Sequence, residues 1–226
     1  MTVMFKNRDD AGRQLAEELL QYRDDPRGLI LALPRGGVAV GYQLSLTLHL
    51  PLDVFVTRKI GAPGNFEYAI GAVAETGSSY LNPEAVTAFG LSRVELDRLI
   101  HVQEKEIARR KDLYRQGRPL PYLTGRTVLL VDDGSATGST FMVAALAIRN
   151  LQPHRLVGVL PVGPPSTIRK VRAQVDELVV LMKPESFVAV GKFFMDYTPV
   201  EDRAVVEYLN LAERAIIEHP PALPAS

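Results

Sequence analysis

Residues 127–131 are aliphatic or β-branched and predict a buried strand, which ends at two adjacent carboxylates, Asp132 and Asp133. A loop of small residues follows, in which Gly134 and Gly138 let the backbone come close to a ligand. The loop hydroxyl groups, with the free N–H groups at the start of the next helix, form a cradle for a phosphate. These hydroxyl groups belong to Ser135, Thr137, Ser139 and Thr140. The two carboxylates repel a phosphate and instead suit sugar hydroxyl groups or a divalent cation.

Other phosphate loops and nucleophile sites have different patterns. A Walker loop needs a lysine after its last glycine, whereas Ser139 follows Gly138 here. The G-x-G-x-x-G dinucleotide motif is absent from the chain, and so is the G-x-S-x-G nucleophile elbow. The remaining alternative is an ordinary turn that caps a helix, and the adjacent carboxylates make it the weaker interpretation.

Two basic segments also follow predicted strands. Arg35 adds a bidentate donor for phosphate oxygens to the backbone N–H groups that Gly36 and Gly37 expose. Arg58 and Lys59 would face the same end of the sheet, where they suit an anionic leaving group. The alternatives are a simple turn with a surface arginine for the first segment and a solvated basic pair for the second.

Short apolar runs alternate with helical segments along the chain. Strands are predicted at residues 28–33, 52–57, 127–131, 156–162 and 177–182. Helices are predicted at residues 8–22, 38–49, 92–116, 140–151 and 201–218, with a short one opened by Pro164 and Pro165 and a capping box formed by Ser92 and Glu95. A hairpin around Gly77 and a loop at residues 60–66 are also predicted. This alternation indicates an α/β protein with an open parallel sheet of about five strands flanked by helices.

Composition excludes several classes of protein. The chain has 226 residues, 26 Lys+Arg against 26 Asp+Glu, and no cysteine, so disulfides and thiolate chemistry are impossible. The balanced charge argues against a nucleic-acid partner, and we expect Arg109, Arg110 and Lys111 to form a solvated face offset by nearby acidic residues. The N-terminus lacks the apolar core of a signal peptide, and no apolar run reaches membrane-spanning length, which indicates a cytoplasmic protein without a membrane partner.

The segment from Val128 to Thr140 resembles the motif that binds PRPP (5-phosphoribosyl 1-pyrophosphate) in the type I phosphoribosyltransferases. That motif is a hydrophobic strand, two acidic residues and a Thr-Gly-rich loop. The resemblance implies that Asp132 and Asp133 bind the ribose 2′ and 3′ hydroxyls and that residues 135–140 hold the 5′-phosphate. Gly134 and Ser135 replace the usual aliphatic residues of the family. Ala136 replaces a carboxylate that contacts the base in many purine salvage members.

The resemblance also implies how the leaving pyrophosphate is bound. In the family, the loop after the first core strand binds pyrophosphate, often through an unusual backbone conformation, and Arg35, Gly36 and Gly37 match that loop. Arg35, Arg58 and Lys59 are the implied catalytic residues, because they would neutralise pyrophosphate together with the Mg²⁺ that is bound with PRPP.

Residues 183–197 are similar to the hood of hypoxanthine-guanine phosphoribosyltransferases, in which Lys-Phe-Val-Val-Gly is followed by Asp-Tyr. Phe187 matches the aromatic residue that stacks on the base, and Val188 matches the residue that pairs with it through the backbone. Asp196 matches an acidic residue near the metal ion of pyrophosphate. Ser186 replaces the lysine that would read a 6-oxo group, so a purine-like base is favoured only weakly.

The resemblance implies the type I phosphoribosyltransferase fold in a single domain, residues 1–226, with a helical insertion at 83–121 and a hood at 183–199. Residues 61–68 lie where the family has a mobile catalytic loop, and Glu67 is a candidate functional group in it. The implied activity is transfer of the 5-phosphoribosyl group from PRPP to a nucleobase-like acceptor in nucleotide salvage, by a homodimer as in other family members. The alternative is a regulatory protein that senses PRPP without turnover.

Overall fold

A computed structural model describes residues 4–218, apart from the side chains of Phe66 and Glu67, and contains eight strands and seven α-helices within that range. The strands are β1 (Gly28–Ala32), β2 (Leu52–Val54), β3 (Thr57–Ala62), β4 (Asn65–Ala74), β5 (Ser79–Leu81), β6 (Thr127–Val131), β7 (Arg155–Val162) and β8 (Glu177–Met182). The helices are α1 (Arg8–Glu17), α2 (Gly36–Leu48), α3 (Pro83–Ala88), α4 (Arg93–Arg115), α5 (Ser139–Arg149), α6 (Pro165–Arg172) and α7 (Asp202–Glu218). Within residues 4–218, no helix combines the length and hydropathy needed to cross a membrane.

The centre of the molecule is a five-stranded parallel sheet in the order β2-β1-β6-β7-β8. Its strands are apolar at successive positions because both faces are covered. Ile30 and Leu129 pack on one face with apolar residues of α1 and α2. Leu31 and Leu130 pack on the opposite face with residues of α5 and α6. The predicted fold class, a parallel sheet flanked by helices, is confirmed.

A separate antiparallel sheet in the order β3-β4-β5 lies beside α5. The prediction of one strand over residues 52–57 is wrong, because β2 ends at Val54 and Thr57 pairs with Ala74 in the second sheet. The prediction of a loop over residues 60–66 is also wrong, since most of these residues belong to β3 and β4. A short run of apolar residues does not reveal such a change of sheet, because the same residue types suit a strand of either sheet. The predicted hairpin of β4 and β5 is confirmed.

Residues 83–121 contain α3 and α4, and α4 begins at the predicted capping box. The Ser92 N–H donates to Glu95 Oε2 at 2.8 Å, and the Glu95 N–H donates to Ser92 Oγ at 3.3 Å. The helix packs against the second sheet and α7. It therefore connects the antiparallel sheet to the C-terminal helix.

A buried ionic cluster holds the last turn of α4 in place. The side chains of Arg115 and Glu75 are each only 2% exposed and form an ion pair. The Arg115 guanidinium also donates to Asp53 Oδ1 at 3.0 Å and to the carbonyl oxygen of Val54. Because the partners lie at β2 and at the end of β4, this one side chain joins both sheets to α4.

Replacing Arg115 with methionine is expected to lower the free energy of unfolding by about 3 kcal/mol, because Glu75 would be left buried without its counter-charge. Chemical denaturation of the intact chain measures this value. Arg118→Met is the control, since Arg118 pairs with Glu213 at the surface and its loss should change stability by less than about 0.5 kcal/mol. Equal effects of the two substitutions would contradict the role given to the cluster.

Candidate active site

The two glycine-containing loops predicted to bind phosphates lie side by side. Strands β1 and β6 are neighbours, and the Leu33 N–H donates to the carbonyl oxygen of Val131 at 2.8 Å where both strands end. A Cβ atom on Gly36 would lie 1.9 Å from Asp133 Oδ2, and one on Gly37 would lie 2.8 Å from the carbonyl oxygen of Val131. Only glycine fits at these two positions, so the glycine pair lets one loop rest directly on the carboxylates of the other.

Asp133 is held by two residues from distant parts of the chain. Its Oδ2 accepts a hydrogen bond from Arg8 Nε at 2.7 Å and another from the Tyr197 hydroxyl at 2.9 Å. The Arg8 guanidinium lies 3.8 Å from the centre of the Tyr197 ring, and its Nη1 donates to the carbonyl oxygen of Thr198 at 2.8 Å. Burial, and then the charge of Asp133, raises the pKa of Tyr197, so the tyrosine donates as a neutral phenol. Asp133 is therefore fixed in position before any ligand binds.

The sequence pattern assigns no role at this site to Arg8 or Tyr197. One signal for Arg8 is present in the sequence, because Arg8 is the first residue of α1 and follows the helix cap Asn7. A cation is unfavourable at that end of a helix dipole unless another group compensates it. Asp133 is the compensating group, but the sequence does not identify a partner 125 residues away.

Asp132 has a different environment from its neighbour. Its Oδ1 accepts the backbone N–H of Asp133 at 2.9 Å. Burial raises the pKa of Asp132 well above its usual value, and the charge of Asp133 raises it further. A ligand that donates hydrogen bonds or carries positive charge would relieve this unfavourable ionisation.

The loop after the carboxylates is anchored to the protein in its first half, residues 134–136, and is more exposed in its second half, residues 137–140. Gly134 has a φ of 140° and faces Val190, whose side chain would lie 2.6 Å from an added Cβ atom. Ser135 is buried, and its N–H donates to the carbonyl oxygen of Val162 at 3.0 Å. The carbonyl oxygen of Ala136 accepts a hydrogen bond from Thr167 Oγ1 at 2.6 Å. The first half of the loop is therefore anchored to the protein.

The second half of the loop begins α5. Gly138 precedes the helix with a φ of 83°, a conformation that favours glycine. Thr137 is exposed, and its Oγ1 lies 3.3 Å from Ser139 Oγ, while Thr140 is partly exposed. A cleft of about 400 Å³ opens here, lined by Thr137 and Ser139 and by residues of α6 and the second sheet. The helix start and its hydroxyl groups can thus reach an anion in the cleft.

The predicted basic residues lie on two different elements. Arg35 precedes α2, is 40% exposed at its side chain, and has its Nη1 3.7 Å from Asp202 Oδ1. The peptide bond between Pro34 and Arg35 is cis. Arg58 and Lys59 lie on β3 rather than after a strand of the central sheet, and Arg58 Nε donates to Gln103 Oε1 at 3.2 Å. Burial lowers the pKa of Arg58, and the charges of Arg110 and Arg35 lower it further.

The expected solvated face at Arg109, Arg110 and Lys111 is wrong for Arg110. Its side chain is only 11% exposed, and its Nε donates to Glu106 Oε1 at 2.8 Å. Arg109 also binds Glu106, and hydrogen bonds from Arg109 and Arg110 lower the pKa of Glu106 to about 2. The interior-facing position of Arg110 follows from the packing of α4 on β3, which the charge pattern does not reveal.

The segment predicted to be a hood, residues 183–199, reaches Gly134 through Val190 and Asp133 through Tyr197. The Phe187 ring stacks on Phe193 with centroids 5.3 Å apart and an interplanar angle of 24°. Val188 is exposed. Predicted base-binding residues are thus placed on a segment that reaches the carboxylate pair.

Asp196 is also in the hood, at its surface, and reaches the carboxylate pair only indirectly. Its Oδ1 accepts hydrogen bonds from the backbone and hydroxyl groups of Thr198, which lower its pKa. Thr198 in turn accepts a hydrogen bond from Arg8, the partner of Asp133. Within the described part of the chain, no three His, Asp or Glu side chains cluster as ligands for a metal ion. The side chain of Glu67, a predicted functional group, lies outside the described residues.

Comparisons with known proteins agree with this geometry. Residues 5–198 match the family model described as a phosphoribosyl transferase domain. The chain is 38% identical over 215 residues to "Putative phosphoribosyl transferase Rv0571c" and to "Putative phosphoribosyl transferase MT0597", from two strains of Mycobacterium tuberculosis. The alignment covers 95% of this chain and 48% of each relative, so the chain spans about half the length of these curated relatives. The crystal structure of TT1426 from Thermus thermophilus is 38% identical, with a TM-score of 0.75 over 91% of this chain and 97% of that one.

Proposed function

The chain belongs to the phosphoribosyl transferase family, and from this we propose that it transfers the 5-phosphoribosyl group of PRPP to a nitrogenous base and releases pyrophosphate. The observation that carries the proposal is the contact between Gly36 and the Asp133 carboxylate. This contact supports a single site in which one loop binds pyrophosphate and the other binds ribose 5-phosphate. A molecule with phosphates at both ends of a ribose would span the two loops.

Each part of PRPP has a group to bind it in this proposal. The hydroxyls of residues 137–140 and the start of α5 hold the 5′-phosphate, while residues 135 and 136 anchor the loop. Asp132 and Asp133 accept hydrogen bonds from the ribose hydroxyls. Because Arg8 and Tyr197 use Oδ2 of Asp133, the Oδ1 atom is the one offered to the sugar. Binding at both ends positions C1 of the ribose for attack by the base, which lowers the entropic part of the barrier.

The reaction breaks the bond between C1 and the pyrophosphate oxygen, which leaves positive charge on the ribose and negative charge on the leaving group. Arg35, Arg58 and Lys59 stabilise the departing pyrophosphate, and the backbone at Gly36 and Gly37 approaches it closely. The attacking nitrogen of the base then bonds to C1. The nitrogen of the base is the nucleophile, so the reaction requires no nucleophile from the protein.

The carboxylates fit a magnesium ion that arrives with PRPP. The charge of Asp133 disfavours ionisation of Asp132, and a divalent cation nearby would offset the repulsion between the two carboxylates. Mg²⁺ is commonly bound by one or two carboxylates together with substrate phosphates. Asp132 and Asp196 are the candidate ligands in this proposal. The bound ion would neutralise charge on pyrophosphate as it leaves.

The acceptor is proposed to be a nucleobase-like ring, with a weak preference for purines. Phe187 would stack on it through the ring face that Phe193 leaves uncovered, and the backbone of Val188 would pair with its edge. The proposal includes nucleotide salvage in the cytoplasm by a homodimer and no nucleic-acid or membrane partner. These features come from the family resemblance and the charge balance.

The test is pyrophosphate release from PRPP and Mg²⁺ across a panel of purines, pyrimidines and other ring bases. Release that depends on one base is expected, and it would identify the acceptor. The matched control is the Asp132→Asn variant, which should release none. PRPP binding by calorimetry without release for any base would contradict the transferase and favour a PRPP-sensing regulatory protein.

A further inference from the structure

Arg58 is partly buried, yet it forms no ion pair with a carboxylate among the side chains that the structure describes. Its hydrogen-bond partner is the neutral amide of Gln103 on α4, which accepts from Nε. The two terminal nitrogens of the guanidinium take no part in that bond. Glu106 partly offsets the charge of Arg58, but the same carboxylate also pairs with Arg109 and Arg110. A partly buried cation with so little counter-charge is costly, and such a group suits a site where an anion binds.

Two more guanidinium groups converge on Arg58. Arg110 lies seven residues after Gln103 on α4, and so on the same face of the helix, which packs against β3. The charges of Arg110 and Arg35 lower the pKa of Arg58, and the charge of Glu106 raises it. Three guanidinium groups, those of Arg35, Arg109 and Arg110, share the two carboxylates Glu106 and Asp202. Arg58 adds a fourth positive charge without an ion pair of its own among the described side chains. The excess of positive charge is therefore built from elements that are distant in sequence.

The position of Arg110 distinguishes it from the other cations of α4. Its side chain is 11% exposed, whereas the Arg93 side chain on the same helix is 86% exposed. Burying the charged side chain of Arg110 costs free energy that an exposed arginine does not incur. The carboxylate that pairs with Arg110, that of Glu106, is shared with Arg109. Two arginines on one carboxylate leave a net positive charge, which an anionic ligand would offset.

We propose that Arg110 of α4, together with Arg58 and Arg35, forms an anion site whose ligand is the pyrophosphate group of the proposed reaction. The inference rests on the proposed function and extends it, because it makes the helix at residues 93–115 part of the substrate site. A diphosphate carries several charges on two linked tetrahedral groups, and guanidinium groups bind such oxygens in a bidentate manner. Arg35 joins this site to the glycine pair at residues 36–37.

The experiment is a calorimetric titration of the intact chain with magnesium pyrophosphate, and separately with ribose 5-phosphate. Arg110→Gln is expected to weaken pyrophosphate binding at least about tenfold and to leave ribose 5-phosphate binding unchanged, because the latter uses residues 137–140. Arg93→Gln, on the same helix, should change neither affinity. Arg110→Lys should recover part of the loss, since it keeps the charge without the planar fork.

Several outcomes would overturn the inference. One is wild-type affinity for pyrophosphate in Arg110→Gln. Another is an equal loss of affinity for pyrophosphate and for ribose 5-phosphate in that variant. A third is wild-type protein that binds inorganic phosphate as tightly as pyrophosphate. Should Arg110→Gln not fold, Gln103→Met releases Arg58 without changing Arg110, and unaltered pyrophosphate affinity in it would overturn the inference too. Failure of the proposed function is distinct, because then wild-type protein releases no pyrophosphate with any base.

Discussion

Asp132→Asn is expected to weaken PRPP binding at least about 100-fold while it raises the free energy of unfolding of the unliganded protein by about 1 kcal/mol. Binding is lost because an amide accepts fewer hydrogen bonds from the ribose hydroxyls and carries no charge for Mg²⁺. Stability is gained because the native carboxylate is partly buried beside Asp133, so its ionisation is unfavourable in the fold.

The gain in stability should depend on pH in a defined direction. The folded-state pKa of Asp132 lies above its value in the unfolded chain, so the native state binds more protons between the two values. Wild-type stability therefore falls as the pH rises from about 4 through the folded-state pKa. The difference between Asp132→Asn and wild type should be near zero at the acid end and should grow with increasing pH.

Calorimetry with PRPP and denaturation at several pH values measure the two effects. Asp97→Asn is the control, because Asp97 is exposed on α4 and pairs only with Arg93 within the described residues. It should change neither PRPP affinity nor the pH dependence. Unchanged PRPP affinity in Asp132→Asn would contradict the assignment of the ribose site.

Gly36→Ala is expected to abolish measurable PRPP binding and to lower the free energy of unfolding by about 3 kcal/mol. Gly36 lies in α2, where alanine would ordinarily stabilise the helix by up to about 1 kcal/mol. The added Cβ atom would instead lie 1.9 Å from Asp133 Oδ2 and 3.0 Å from Arg8 Nε. The backbone at Gly36 or the carboxylate of Asp133 must therefore move, and the Arg8–Asp133 ion pair is disturbed in either case.

Gly117→Ala is the matched control for this substitution. Gly117 has a φ of 83° and open space around it, so an alanine there meets only backbone strain of about 1 kcal/mol. The control should fold, bind PRPP with wild-type affinity, and have a slightly lower Tm. A Gly36→Ala protein that matched this control in PRPP affinity would show that the contact between the two loops is not needed for binding.

The sequence alone determined the parts of this protein that depend on near neighbours in the chain. The strand, the carboxylate pair and the small-residue loop at residues 127–140 are contiguous, so their propensities and their chemistry can be inferred together. The same holds for the capping box of Ser92 and Glu95 and for the glycine pair at residues 36–37. These local patterns were sufficient for the five-stranded parallel sheet and for the order of its helices.

Only the tertiary structure decided which distant side chains meet. Arg8 and Tyr197 reach Asp133 across 125 and 64 residues, and Arg110 reaches the surroundings of Arg58 because α4 packs on the second sheet. The sequence does not show whether a charged side chain is exposed to solvent or buried in an ion pair. Its burial depends on the path of the whole chain. The sequence also did not reveal that Thr57 leaves the central sheet to pair with Ala74, because strand propensity does not specify which sheet a residue joins.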